Sequence, residues 1–367
     1  MDLRVIKINF TVISIDKTKI TYYNKNTLGG LVMKYTNDKK QAIVLYILEK
    51  IAAKTPSLSK VVSQTFNIST NTVHGYINEL LAENIIFKPK RGEYELVTNQ
   101  TEYIFLRSKG ELESDTLAYD VCVHDKIRNM PENIQHIWAY AISEMANNVI
   151  DHSGAESMKI TVSQNYLQTC VTISDDGVGI FEKIKKHFSL PSLDEAICEL
   201  FKGKLTTDES RHSGEGIFFT SKMMDTFFIS SSGKVFATSK YESDNISDID
   251  NQSGTHVYMS LSNFTHKTAR EIFDAYSNID GEFNTTRIPL KNIFEFAPVS
   301  RSQAKRICNR LDKFEEVILD FEGISWMGQG FAHQMFVVYK NTNPNVSIKP
   351  INMSDSVLGM YKHVLNS

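Results

Sequence analysis

Three short segments stand in one order in the middle of the chain, and their spacing limits what the region can fold into. The first is Ser143-Glu144-Met145-Ala146-Asn147-Asn148-Val149-Ile150-Asp151-His152-Ser153. The second is Ile173-Ser174-Asp175-Asp176-Gly177-Val178-Gly179-Ile180, and the third is His212-Ser213-Gly214-Glu215-Gly216-Ile217-Phe218. The first closes a helix expected from Pro131 to about Ser153, with Ile134, Trp138, Ala141, Ile142, Met145 and Val149 as its apolar stripe. Pro131 suits the first helical position, Glu132 the first turn, and Gly154 the stop. Strands are expected around 159–163, 170–174, 227–231, 234–239 and 255–261. Between the second and third segments, residues 181–213 read as a long, polar, mixed stretch.

The chemistry follows from residue type and position. Glu144 and Asn148 are four apart on one helix, so they share a face beside the apolar stripe. The Asn148 amide oxygen is a neutral ligand that can complete a magnesium shell beside phosphates. A carboxylate one turn earlier can orient a water or hydroxyl for in-line attack. Val171, Ile173 and Asp175 share one parity, so Asp175 projects inward at a strand end, where it can accept from an adenine amino group. Gly177 and Gly179 allow a sharp turn and the close approach of a base. Gly214 and Gly216, at a helix start, offer backbone N–H groups to phosphates.

This stretch resembles the GHKL ATPases: gyrase-type topoisomerases, heat-shock chaperones, histidine kinases and MutL. Glu144 and Asn148 match the family's N box, and Asp175, Gly177 and Gly179 its first glycine box. Gly214 and Gly216 match the second glycine box. Ser253-Gly254-Thr255 is similar to the last box, where Thr255 would support the adenine pocket. The resemblance covers roughly 120–263 and implies ATP and Mg2+ as ligands. The implied fold is a GHKL-type α/β sandwich (the Bergerat ATP-binding fold) with a mobile lid at 181–213. Lys202, Lys204, Arg211 and His212 would then be cations of that lid, within reach of phosphates or simply solvated. His124 superficially resembles a histidine-kinase phosphoacceptor. However, the nearby Arg and Pro sit at the wrong offsets, and about two dozen residues before Asn148 leave no room for a dimerisation hairpin.

The flanks read differently. Residues 41–98 have the pattern of three helices and a hairpin, a winged helix-turn-helix. Ser69 or Thr70 can cap its third helix. That helix would present Thr70, Asn71, Thr72, His74 and Asn78 to a major groove, and Lys88, Lys90 and Arg91 of the turn would contact phosphates of double-stranded DNA. The same module can equally serve protein contacts. Residues 99–130 read as a connector into a 99–265 ATP-binding domain, and 1–40 as a β-rich segment of unassigned role. Residues 283–367 alternate strand and helix, with a helix over 300–314. They resemble a STAS-like family of unknown function through Ser300–Lys305, Leu319-Asp320-Phe321 and Gly328–Ala332. Where true STAS domains present a phosphorylatable serine, this chain has Gln329 or Gly330, with Ser325 nearby. The N–H groups at 328–330 could bind an anion or partner, or allow close packing.

The expected whole is a multidomain α+β protein of 367 residues: winged helix, GHKL-type sandwich, small STAS-like α/β domain. A net charge of −3 supplies no global basic field, so any DNA contact must be local. Four widely spaced cysteines, no apolar run of membrane length and no signal-peptide core point to a cytoplasmic protein with free thiols. The leading function is an ATP-binding, DNA-binding transcriptional regulator with a protein partner for the STAS-like domain; a homodimer is compatible. The alternatives are a serine/threonine kinase of anti-sigma-factor type, and an ATPase whose winged helix only binds proteins.

Overall fold

The structure, a computed structural model, describes residues 36–205, 214–239, 245–250, 252–294 and 297–366. The strands expected in 1–35 lie outside them, as do Arg211 and His212. Contacts divide the chain into two units: 1–100 with 163–169 and 262–264, and the remainder.

In the first unit, helices α1 (Thr36–Ala52), α2 (Leu58–Phe66) and α3 (Thr70–Ala82) precede an antiparallel hairpin, β1 (Ile86–Phe87) with β2 (Glu95–Leu96). Ile43, Ile47 and Leu48 of α1 meet Val62, Val73, Ile77 and Ile86 in one small core. The helix α1 begins before residue 41, so 36–40 are helical rather than β-rich. Within the added residues the Lys40 ammonium pairs with Glu79 of α3 at 2.6 Å. Ser69 caps α3, accepting the Thr72 N–H at 3.1 Å.

In the second unit, β3 (Asn99–Leu106) is the edge of a seven-stranded sheet, so the segment expected to be a connector contributes a strand. Short helices α4 (Asp115–Tyr119) and α5 (Asp125–Ile127) lead to α6 (Glu132–Asn147). Pro131 precedes α6 as its N-cap in extended backbone, one position earlier than expected. Then come β4 (Ser157–Gln164), β5 (Gln168–Asp175), α7 (Ile180–His187), α8 (Leu193–Lys202) and α9 (Gly216–Met223). β6 (Thr226–Ser231), β7 (Lys234–Ser239), β8 (Asn245–Asp248) and β9 (Thr255–Ser262) complete the sheet in the order β3-β4-β5-β9-β6-β7-β8. Trp138, Ile142 and Met145 of α6 share one core with Ile173, Ile229 and Met259 of the sheet.

After α10 (Ala269–Asp274), three parallel strands form a second sheet, β10 (Thr285–Pro289), β11 (Glu316–Asp320) and β12 (Ser347–Ile351). Helices α11 (Leu290–Ile293), α12 (Arg301–Cys308), α13 (Gln329–His333), α14 (Lys340–Thr342) and α15 (Asp355–Leu365) connect and flank them. Parallel pairing demands such crossovers. The helix expected over 300–314 stops at Cys308, because Arg310 takes a left-handed φ of 59°. A short 3-10 turn, Leu311–Lys313, follows.

Of the lid expected over 181–213, the described part, 181–205, is largely two packed helices, α7 and α8, and 206–213 lie outside the described residues. Phe181 and Ile184 of α7 and Ala196, Ile197 and Leu200 of α8 are buried in the main core. Charged residues hid an apolar stripe at helical spacing there. Among the described residues no helix is long and apolar enough to cross a membrane, and all four cysteines are free.

Candidate functional site

The end of α6 brings the first two candidates together. Its apolar stripe faces the core, which leaves Glu144 and Asn148 half-buried on its flank. At Asn148 the helix widens into a π-turn, Asn148–Ser153, ended by Gly154 at φ 66°. Such turns inside α-helices are frequent at functional sites.

On β5 the alternation is as expected: Val171, Ile173 and Asp175 are buried. Asp175 Oδ1 accepts the Gly177 N–H at 2.8 Å. Burial pushes the Asp175 carboxyl above its ordinary value, while hydrogen bonds from the Gly177 N–H and from the Thr255 N–H and hydroxyl pull it back in part. Thr255 Oγ1 also accepts the Ile180 N–H at 3.0 Å, so one threonine joins the carboxylate to the start of α7. A Cβ on Gly254 would lie 1.9 Å from the Asp175 carbonyl oxygen, so only glycine lets β9 approach this closely.

The third segment opens α9, whose N-terminus is closed by no side chain of its cap. A Cβ on Gly216 would lie 1.9 Å from Glu144 Oε2, so the bare backbone gives the carboxylate its place against the helix start. Burial, and then the charges of Glu144 and Glu215, hold the Tyr140 hydroxyl above its ordinary pKa.

These side chains border one cavity of about 240 Å³. Glu144, Asn148, Asp175, Gly179, Gly214, Gly216 and Thr255 all line it, between aliphatic walls that include Ile173, Ile184 and Val257. Gly177 does not line it. Its backbone packs on the Ser153 carbonyl, where a Cβ would come within 2.3 Å, so its part is in shaping the turn. Asp176 faces away and accepts from the Glu156 N–H, the Ser157 N–H and the Ser157 hydroxyl at 2.8–3.0 Å. Those bonds, led by the Ser157 N–H, hold its carboxyl below the ordinary value. Sequence reasoning missed Lys183 and His152, which also line the cavity; Lys183 Nζ donates to the His152 carbonyl at 2.6 Å. The signal for Lys183 was the helical spacing of α7, hidden inside the presumed lid, whereas His152 stood within the first segment itself. A buried acceptor between aliphatic walls suits a heterocycle bearing an amino group, and a glycine-flanked helix start suits anions.

Lys202 and Lys204 are not in this cavity. Lys202 is 1% exposed, paired with Glu199 at 2.7 Å, and donates to the Arg306 and Asn309 carbonyls at 3.3 and 2.7 Å. Lys204 donates to the Lys313 carbonyl at 2.9 Å. Both cations bind carbonyls of the STAS-like segment.

At α13, the Gly328 N–H donates to the Pro298 carbonyl at 2.9 Å and the Phe331 N–H to the Val299 carbonyl at 3.1 Å. Of the three amides at 328–330, that of Gly328 is therefore taken up in close packing. In the first unit, Thr70, Asn71, Thr72, His74 and Asn78 are exposed along α3, although the Thr72 hydroxyl is shared with Ser69 at 2.9 Å. Lys88, Lys90 and Arg91 are exposed in the β1–β2 turn, Lys90 paired with Glu93 at 2.9 Å.

A sheet layered with helices around such a cavity is the arrangement of a GHKL-type ATPase domain. Residues 117–263 match the family of histidine kinase-, DNA gyrase B- and HSP90-like ATPases, and residues 303–358 match the STAS-like domain of unknown function. The chain therefore carries a GHKL-type ATPase domain followed by a STAS-like domain. No curated protein matches it. The pairing supports ATP binding and a regulatory role.

Proposed function

We propose that the protein is a transcriptional regulator whose affinity for double-stranded DNA depends on its ATP state. In this reading Asp175 and Thr255 hold the adenine, the start of α9 at Gly214 and Gly216 meets the phosphates, and Asn148 supplies one ligand to Mg2+. Among the described residues no cluster of three or more His, Cys, Asp or Glu is placed for a metal, so the ion would take its other ligands from phosphates and water. Residues 41–98 act as a winged helix, α3 entering the major groove and Lys88, Lys90 and Arg91 meeting phosphates.

The observation that carries the DNA half is the outer face of α3. Asn71, His74, Gly75 and Asn78 are all exposed there, and a Cβ on Gly75 would have nothing within 4 Å. A glycine inside a helix costs about 0.5–1 kcal/mol relative to alanine. Among the described residues nothing calls for it, whereas close approach of a partner's backbone would. Selection of bound genomic fragments with and without ATP tests the reading. Specific enrichment that changes with ATP is expected; no enrichment in either condition removes DNA as the partner.

A second reading is favoured by the Glu144 carboxylate at the α9 N-terminus, where it could activate a water or hydroxyl. Incubation with γ-labelled ATP separates the cases. Labelled protein indicates a kinase, free labelled phosphate indicates an ATPase, and neither, with nucleotide retained, indicates a sensor.

A further inference from the structure

The helix α8 and the three residues after it have two faces with different neighbours. Leu200, Gly203 and Leu205 line the nucleotide cavity. The other face is held by the STAS-like segment. Lys202 Nζ donates to the Arg306 carbonyl of α12, to the carbonyl of Asn309 just past its end, and to Glu199 Oε1. Asn309 Nδ2 donates to the same Glu199 oxygen at 3.2 Å. The Arg310 guanidinium lies 3.4 Å from Glu199 Oε2, donates to the Lys204 carbonyl at 2.7 Å, and sits over the Phe188 ring at 4.5 Å. Arg306 pairs with Glu195 at 2.9 Å, and the fully buried Thr286 hydroxyl donates to the Lys202 carbonyl at 2.7 Å.

The held segment is tied directly to the phosphate-side wall. The Leu205 N–H donates to the Gly214 carbonyl at 2.9 Å, and the Leu205 backbone fills the place where a Gly214 side chain would stand. Two residues on, Gly216 abuts Glu144. A second line runs through rings. Phe218 of α9 lines the cavity and packs on Phe283 at 4.7 Å, which packs on Phe314 at 5.4 Å.

We infer that the STAS-like domain sets nucleotide affinity by positioning α8 and Leu205 against the cavity, with Asn309 and Arg310 as the positioning residues. Neither residue lines the cavity. They act by fixing the wall that carries Leu200, Leu205 and Gly214. By linkage, a ligand that favours one arrangement of this wall must favour the matching arrangement of the STAS-like domain, and a partner of that domain must alter nucleotide affinity by the same factor. The inference rests on the cavity being the ATP site.

The intact chain tests it through ATP titration with Mg2+ and hydrogen exchange with and without ATP. In the wild type, ATP is expected to slow exchange in 301–313 as well as in 200–205. Arg310→Ala is expected to weaken ATP binding roughly tenfold, within the usual range of coupling between sites. It should also abolish the ATP effect in 301–313 while protection persists around 144–148 and 255–257. Arg310→Lys, which keeps the charge but loses the planar fork, should recover part of the affinity. The paired replacement Glu199→Gln with Lys202→Met removes both buried charges at similar volume, and should show the same loss of coupling if Arg310→Ala fails to fold. Wild-type exchange in 301–313 that ignores ATP would overturn the inference. So would variants that melt earlier yet bind ATP with wild-type affinity. Absence of ATP binding by the wild type would instead remove the cavity's assignment, and the inference with it.

Discussion

Asp175 concentrates the tension between folding and binding at one side chain. Burial raises its pKa, so the folded state binds this proton more tightly than the unfolded chain does. The associated stability is therefore present at low pH and lost as pH rises through the raised value. At neutral pH the buried carboxylate is a liability in the empty protein, while in the proposed ATP site its charge would strengthen its hold on an amino group. Asp175→Asn should raise the melting temperature of the nucleotide-free protein at pH 7 and weaken ATP binding, as read by calorimetry in both states. Wild-type ATP affinity should fall on acidification through the raised pKa, and the variant should lose that dependence. Two glycines set a contrast of cost. Gly216→Ala meets the movable end of Glu144, so the fold should persist with the carboxylate displaced and any turnover lost. Gly254→Ala meets the Asp175 backbone at φ 72°, and should cost about 1–3 kcal/mol or more in urea denaturation. Most of these positions were legible in the sequence because alternation and helical period fix which way a side chain points. Lys202 was not. A lysine in a polar stretch looks solvated until the carbonyls that bind it, more than a hundred residues away, are known. Lys202→Ala would leave Glu199 buried with its nearest cation gone, at a cost of about 3–5 kcal/mol.

At the scale of elements, α6, β5 and β9 could be drawn from the sequence because each carries an unbroken period. The helices α7 and α8 could not. Their apolar positions are separated by Lys183, Lys185, Lys186, Asp194 and Glu195, and the stripe emerges only where Phe181, Ile184, Ala196, Ile197 and Leu200 turn to a common core. The helix α12 was drawn too long for a related reason. Its stop depends on Arg310 entering left-handed backbone to face Glu199, a tertiary demand that local preference does not carry. The outer face of α3 makes the opposite case, with a residue, Gly75, that local preference disfavours and no contact among the described residues excuses. Gly75→Ala should stabilise the protein by about 0.5–1 kcal/mol in denaturant. If the face meets DNA closely, the same change should lower DNA affinity. Added stability with unchanged DNA binding would leave the DNA reading standing but move the contact off Gly75; if the wild type binds no DNA, the face belongs to another partner.

At the scale of the molecule, the ATPase and STAS-like domains are not beads joined by a linker. Their buried residues form one continuous core, and α8 serves both. Such an arrangement suits a regulator better than a free-running catalyst, because a change at either end is felt by a shared element. It also makes a quantitative demand. If ATP changes the affinity for DNA by some factor, DNA must change the affinity for ATP by that same factor. Titrating DNA at zero and saturating ATP, then ATP at zero and saturating DNA, gives the two ratios independently. For a nucleotide-controlled DNA reader they should agree, at about 5–150-fold. Two ratios near one would mean that nucleotide and DNA are bound without communication. The coupling carried by α8 would then end at the STAS-like domain, and the output of the ATP site would be a partner of that domain.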